Sequence, residues 1–392
     1  MESRGFQRAW ICALTAAFWM SQYLYFPFLT PYLLSLGLSA TLVGFIVGAY
    51  GLTQLLLRIP LGITVDRVGH HHRFILAGAL LAALSSAIMR LYPTPGMLFL
   101  ANALSGVASS TWISFAILFA GHHEALEQTK ALGVLNAFYS LGILLAFLVG
   151  GLVASRSGVR LLFLLSALAG GITSLMALFL TWKPSGEPRT RRPKGLGETF
   201  KSSRMIFHSL LGAATFLVLF GTVLSFTNSV ARHRGASGTM IGFFAMLYSL
   251  GCVLGSFLLT LRRVQRIREG HWLALGFGIL AIYCASVPLV PDLAWFYPLH
   301  LLCGLGSGAL TGSLMAFAVK GASPERRTAA MGFYQSINCL GTTLGPVVMG
   351  FLLDHGSPRS AFLSMGGAGL VCAALALWVG RDGTTVGGLA RG

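Results

Sequence analysis

Few residues in this chain have the type and placement to do chemistry. Its eleven acids are Glu2, Asp66, Glu124, Glu127, Glu187, Glu198, Glu269, Asp292, Glu325, Asp354 and Asp382, and each falls in a polar segment, at a terminus or at the edge of an apolar run. A charge inside an apolar run is costly and is normally kept for work. The lack of an interior carboxylate therefore argues against a central carboxylate proton relay and against a polyvalent cationic ligand. What remains as a candidate proton site is His300, because an unperturbed imidazole titrates near about pH 6.5; the competing reading is a hydrogen-bonding packing residue. Arg58, near one end of an apolar run, has three readings: it snorkels to the interface, it pairs with Asp66, or it touches a ligand. His70, His71 and His72, like His122 and His123, could suggest a metal, but adjacent residues diverge on a helix, so they are read as a basic, pH-sensitive edge and no metal site is assigned. The six cysteines are scattered singly through apolar runs and are read as small buried hydrophobes. No phosphate-cradling Gly-Lys-Ser/Thr loop is present, which argues against a built-in ATPase. Recognition and proton movement fit this inventory; catalysis and a cofactor do not.

The elements that must position these residues are apolar. Of 392 residues 55% are hydrophobic and 10% charged, with 27 Phe, 10 Tyr and 7 Trp, which excludes both a water-soluble globule and a disordered chain. Apolar runs of helical length recur at 9–35, 41–65, 74–92, 96–120, 130–154, 160–182, 206–230, 238–261, 271–290, 293–319, 328–353 and 359–380. Twelve membrane-spanning helices with short connections are expected, the first of them an uncleaved span rather than a signal peptide. A net charge of +17 would point to nucleic acid in a soluble protein. Here most of the 28 Lys and Arg collect on one face, with Arg90, Arg156, Arg160, Arg232, Arg234 and Arg359 on the other, so the charge orients both termini to the cytoplasm and no nucleic-acid partner is expected. Trp10, Trp182, Trp272, Trp295 and Trp378 fall near span ends, where an interfacial ring belongs. The longest polar stretch, from Lys183 to Arg204, divides the chain into residues 1–182, a basic linker at 183–205, and residues 206–392.

The two parts are copies. A shift of 198 residues aligns Gly37 with Gly235, Ser39 with Ser237, Thr41 with Thr239, Gly44 with Gly242, Tyr50 with Tyr248 and Gly106 with Gly304. A shift of 199 aligns Gly133 with Gly332, Gly142 with Gly341, Gly151 with Gly350, Arg160 with Arg359 and Gly170 with Gly369. Six spans per copy is an even number, so the copies share one orientation about an axis along the membrane normal.

Residues 58–73 read Arg-Ile-Pro-Leu-Gly-Ile-Thr-Val-Asp-Arg-Val-Gly-His-His-His-Arg, at the turn between the second and third runs. Gly62 allows close packing of two helices, and Asp66 can accept from helix N-terminal amides or a facing arginine. This stretch resembles the loop signature of the major facilitator superfamily at Gly62, Asp66, Arg67 and Gly69, with Arg73 and Arg58 flanking it. The resemblance implies a cytoplasmic latch that holds the two halves together when the transporter faces outward. The second copy, with Val264 in place of Asp66, has lost the pattern. In the fifth run Gly133, Gly142, Gly150 and Gly151 match the spacing of a motif typical of the family's exporters, with Ala146-Phe147 where Gly-Pro is usual. The eleventh run carries Gly332, Gly341, Gly345, Pro346 and Gly350. The competing reading is generic small-residue packing. The family's fourth-span arginine is absent; Asn102 stands there, and His300 is its counterpart in the tenth run.

The resemblance also implies a central cavity lined by spans one, four, seven and ten, with five, eight and eleven at its sides. Its candidate lining is Trp19, Gln22, Tyr23 and Tyr25; Asn102 and Trp112; Asn228; and His300. Asn136 and Tyr139 sit at i and i+3, and their repeat partners are Gln335 and Asn338. Such a neutral, polar-aromatic cavity suits an amphipathic, neutral or zwitterionic molecule, with interhelical hydrogen bonding as the competing role. The expectation is an all-α membrane protein of two six-helix bundles, a functional monomer in a prokaryotic plasma membrane. It would work by alternating access and export a small organic molecule, a drug or metabolite, against protons. Uptake by symport or uniport is the alternative, and a transporter-like sensor or membrane enzyme the alternative of another class.

Overall fold

The structure, a computed structural model, describes residues 4–124, 127–180, 202–320, 324–380 and 386. Its first part contains α1 (Arg4–Tyr23), α2 (Phe26–Ser35), α3 (Ala40–Val68), α4 (His71–Leu91), α5 (Pro95–Ser110), α6 (Trp112–Gly121), α7 (Gln128–Ser157) and α8 (Val159–Leu178). The second contains α9 (Ser203–Gly221), a π-turn (Thr222–Phe226), α10 (Thr227–His233), α11 (Gly238–Leu258), α12 (Arg262–Gln265), α13 (Glu269–Ser286), a 3-10 turn (Leu293–Trp295), α14 (Phe296–Ala318), α15 (Pro324–Asp354) and α16 (Pro358–Val379). Among the described residues ten helices are long and apolar enough to cross a membrane, and the protein is an all-α, multi-span membrane protein. The first and ninth apolar runs also fold as helices, but α1 carries charge near its start and α13 opens on Glu269 and His271, and neither is among the ten.

Three runs are interrupted, two of them at a threonine whose hydroxyl bonds a carbonyl of the preceding turn. Leu24 and Tyr25 separate α1 from α2, whose first turn holds Pro27. Thr111 separates α5 from α6; its hydroxyl donates to the Ala108 carbonyl at 2.7 Å, and its side chain occupies the space left open by Gly78. The π-turn of the seventh run begins at Thr222, which donates to the Val218 carbonyl at 2.6 Å, and sets the rotation of Asn228 two residues beyond it.

The internal repeat reappears as paired contacts. Gly37 and Gly235 both adopt positive φ (80° and 92°), which a side chain resists. Two residues later Ser39 and Ser237 each cap a helix, accepting from Leu42 N and Met240 N. Gly44 lies against the Pro346 carbonyl, and its copy Gly242 against that of Phe147; Gly106 lies against the Tyr50 carbonyl, and Gly304 against that of Tyr248. Consequently α3 packs along α15 and α11 along α7, the two seams where the first part of the chain meets the second.

Both seams are closed at one end. There Asp354 accepts from Ala40 N at 2.9 Å and Thr41 N at 2.8 Å, Ser155 accepts from Thr239 N at 2.9 Å, and Phe26 meets Phe220 edge-on. A Cβ on Gly350 would strike the Ala40 carbonyl, and one on Gly151 would press on Gly238 and Gly242. At the other end the seams part. Gly62, expected in a tight helix contact, has only Ile113 at 3.7 Å from its Cβ position, and Gly133 and Gly332, the first glycines of the two paired motifs, face open space. Ile59, Ile63 and Val134 are exposed beside them.

Two further expectations change. Trp272 is not interfacial: it is buried, and its indole donates to Ser313 Oγ at 2.8 Å. Trp182 lies outside the described residues, as does most of the basic linker. Glu269, at the edge of a run, is nonetheless buried, where His208 Nε2 lies 2.7 Å and Arg204 2.8 Å from its carboxylate. A carboxylate in such a place requires both partners.

Candidate functional site

The site grows out of the α3–α15 seam near the point where it opens. Gln54 and Arg58 lie one turn apart on α3. The Arg58 guanidinium donates to Gln335 Oε1 on α15 at 2.7 Å and to Gln54 Oε1 at 3.3 Å. Of its three expected roles, pairing with Asp66 falls on a side chain outside the described residues; beside them the structure shows a bridge between the two halves. Gln335, Asn338 and Tyr334 line a cavity of about 230 Å³ together with Phe216 on α9 and Thr311 and Met315 on α14. The Tyr334 hydroxyl and Asn338 Oδ1 have no hydrogen-bond partner, and Gly212 leaves the room they occupy.

In the first half of the chain Trp19, Trp112 and Tyr139 form an aromatic cluster, with ring centroids 4.7 Å (Trp19 to Tyr139), 5.5 Å (Trp112 to Tyr139) and 5.7 Å (Trp19 to Trp112) apart. Tyr23 joins it at 5.8 Å from Trp19. Trp19 is buried with an unpartnered indole N–H, whereas Trp112, Tyr23 and Tyr139 are partly exposed and Asn136 is exposed. Three elements, α1, α6 and α7, supply this cluster, which no single-helix periodicity could have indicated.

Three expected lining residues are structural instead. Gln22 is buried and spends its amide within its own half, donating to the Ser105 carbonyl and Ser109 Oγ and accepting from Ser105 Oγ at 2.6 Å. Tyr25 is packed on Phe163, with its hydroxyl on Ser105. Asn102 donates to the carbonyls of Ile46 and Val47 at 2.8 and 2.9 Å, fastening α5 to α3. Each satisfies an otherwise exposed polar group in an apolar medium, the commonest use of a buried amide.

His300 and Asn228 share a small cleft between the halves with Phe26, Phe147 and Tyr248. His300 is 1% exposed, stacks on Phe244, and has Nδ1 2.8 Å from the Phe296 carbonyl and Nε2 3.3 Å from the Tyr283 hydroxyl. A carbonyl only accepts, so Nδ1 carries the proton. Asn228 Oδ1 is buried and unpartnered.

In the loop signature, Gly69 ends α3 with φ 67°, the left-handed cap that favours glycine, and Arg73 lies in the first turn of α4. The side chains of Asp66 and Arg67 lie outside the described residues. The histidines nearby are held locally: His70 by the Val68 carbonyl, and His122, whose own carbonyl accepts from Arg8, by that of Leu118. Of the paired glycines, Gly142, Gly150, Gly341 and Gly345 lie against the carbonyls of Ala16, Leu24, Ala213 and Leu217, so these positions seat one helix on the next. Pro346 presents its carbonyl to Gly44.

Sequence reading missed Gln54, Phe216, Thr311 and Tyr334. A usable signal existed for two of them: Gln54 stands four residues before Arg58, and Tyr334 four before Asn338, on the same helix faces.

The sequence profile of the Major Facilitator Superfamily matches residues 11–231 and again 209–390. A zebrafish protein described as a probable vesicular acetylcholine transporter is 29% identical over 258 residues, a match that spans 63% of this chain and about half (51%) of that protein. Multidrug resistance protein 1 of Bacillus subtilis is 23% identical, covering 81% of this chain and 82% of its own. A solved bacterial homolog of the human lysosomal transporter Spinster, in an inward-facing and occupied conformation, superposes with a TM-score of 0.76 at 18% identity, over 98% of each chain. These matches identify a transporter and not a catalytic fold. With its paired halves, inter-half seams and central polar space, the chain belongs to the Major Facilitator Superfamily.

Proposed function

We propose that this transporter exports a small organic molecule, a drug or metabolite, in exchange for protons, through twelve spans arranged as two six-helix bundles around the 183–205 linker. The observation that carries it is the seam: closed at the Asp354–Ala40 end, parted at the Gly62 end. One seam open at one end is what alternating access requires of one of its two states. Basic residues cluster at the parted end, so both termini are assigned to the cytoplasm and the state described is the inward-open one. The unoccupied space about Gly62, Gly133 and Gly332 is where the halves would close in the outward-open state, with the loop signature at Asp66 and Arg67 as the latch.

Outward direction is supported by the glycine-rich seams of α7 and α15 and by the similarity to a bacterial multidrug resistance protein. Exchange with protons is assigned to His300, which lies in the inter-half cleft hydrogen-bonded to Tyr283. The substrate would occupy the space between the Arg58–Gln335 bridge and the Trp19–Trp112–Tyr139 cluster.

The test is an untargeted metabolite comparison of medium and cell extract for cells expressing wild type or Asp66→Asn. Compounds enriched in the medium only with wild type establish export and identify the substrate. Compounds depleted from the medium establish uptake and overturn the direction.

A further inference from the structure

Arg58 is a cation at membrane depth whose described hydrogen-bond partners are neutral. Val65, the end of the apolar part of its helix, is seven residues on, or about 10 Å. Both acceptors of the guanidinium are amide oxygens, Gln54 Oε1 and Gln335 Oε1, and among the described residues no carboxylate is ion-paired with it. Arg58 is half-buried and held by amide oxygens, which leave its charge free to meet a ligand, and an intramembrane ionisable residue is a functional candidate by default. The side chain of Asp66, eight residues on, lies outside the described residues; among the described residues a negative charge is what the guanidinium lacks.

We infer that the inter-half space takes an organic monoanion, its carboxylate or sulfonate on the Arg58 guanidinium and its apolar or aromatic body on the wall made by Trp112 and Tyr139. This rests on the transporter reading above and adds the substrate's charge class. A guanidinium offers five donors in a planar fork, a match for two oxygens of one oxyanion. The aromatic wall is reached along α3: Tyr50 lies two turns before Arg58, its ring 6.3 Å from Phe26, which stands 5.1 Å from Tyr23 of the cluster. Trp112 and Tyr139 are partly exposed, so a ring can lie against them. The described lining of the 230 Å³ cavity beside Gln335 carries no carboxylate that would hold a cation. A positive charge at this place attracts anions and repels cations of the same shape. Because Gln335 belongs to the opposite half, an anion that takes over its donor also loosens the α3–α15 bridge, linking occupancy to the seam.

The experiment uses the purified full-length protein in detergent, with benzoate, benzenesulfonate and naphthalene-2-sulfonate as probes and benzamide and benzyltrimethylammonium as neutral and cationic counterparts. Concentration-dependent thermal stabilisation and tryptophan emission are the readouts. The anions are expected to bind at least tenfold more tightly than either counterpart. Arg58→Gln should abolish that preference, Arg58→Lys should keep part of it, and Gln335→Leu, which removes the competing acceptor, should tighten anion binding several-fold. Monodisperse size-exclusion profiles show that the variants fold. Failure of every anion to bind, equal binding by Arg58→Gln, or a preference for benzyltrimethylammonium overturns the inference. Liposome flux separates the two readings: neutral or cationic substrates moved equally by wild type and Arg58→Gln refute the anion site and leave the transporter intact, whereas anion binding without any flux does the reverse.

Discussion

Asp354 and Ser155 occupy equivalent positions in the two copies of the repeat and do the same work on opposite seams. Each lies in the last turn of its helix, α15 or α7, and accepts a hydrogen bond from the backbone N–H of a repeat-related threonine, Thr41 or Thr239, in the first turn of a helix of the other half. The two clasps differ in strength. A carboxylate at a helix N-terminus gains from both the charge-assisted bonds and the helix dipole, and Asp354 holds two amides, whereas Ser155 is neutral.

Asp354→Ala is therefore expected to weaken the closed end by about 1 kcal/mol, the cost of losing a cap on two helix N-terminal amides that water can partly replace. This shifts the balance of states toward opening at that end, read as faster labelling of cysteines introduced near Ala40 and Ser155. Ser155→Ala should do the same with a smaller effect. Unchanged labelling with Asp354→Ala would show that the clasp does not hold the gate.

The glycines divide by depth, and so should their variants. Gly341→Val and Gly44→Val drive carbons into the backbone of Ala213 and Pro346, so both should lower thermal stability in detergent by several degrees or prevent expression. Gly133→Val and Gly332→Val meet open space here and should fold normally, yet slow flux at least several-fold, because those faces must close in the other state. Normal flux would place the closing surface elsewhere.

His300→Ala should abolish substrate-driven proton flux in liposomes loaded with a pH-sensitive dye while substrate binding persists. Tyr283→Phe, which removes the hydroxyl at Nε2, should slow that flux without abolishing it. Undiminished proton movement in His300→Ala would reduce the imidazole to a packing residue.

Glu269→Ala leaves His208 buried without its acidic partner and Arg204 without its ion pair. Breaking a buried pair from one side costs roughly 3–5 kcal/mol, and partial exposure of Arg204 places the expected loss at the lower end. The double variant His208→Phe with Glu269→Leu should recover much of it, as thermal unfolding would show. A Glu269→Ala protein of wild-type stability would contradict the structural role.

Hydropathy and repeat spacing made the broad architecture readable without coordinates. Apolar length is a local property, so the helical runs, the turns at Gly37 and Gly235, and the caps at Ser39 and Ser237 follow from residues adjacent in the chain. The family, too, was legible in the 58–73 signature. What the chain alone did not decide is where each polar side chain in an apolar run finds its partner. Gln22, Asn102 and Gln335 look alike in sequence. The first two are consumed by carbonyls and hydroxyls of their own half, and only Gln335 crosses to Arg58. Helix rotation and the π-turn before Asn228 set those directions, and they depend on packing against helices distant in sequence. The same holds for the glycines: their spacing marked a seam, but the half of that seam in contact is a property of one conformational state. Two states of a transporter share one sequence, so only the tertiary structure could decide which end is closed.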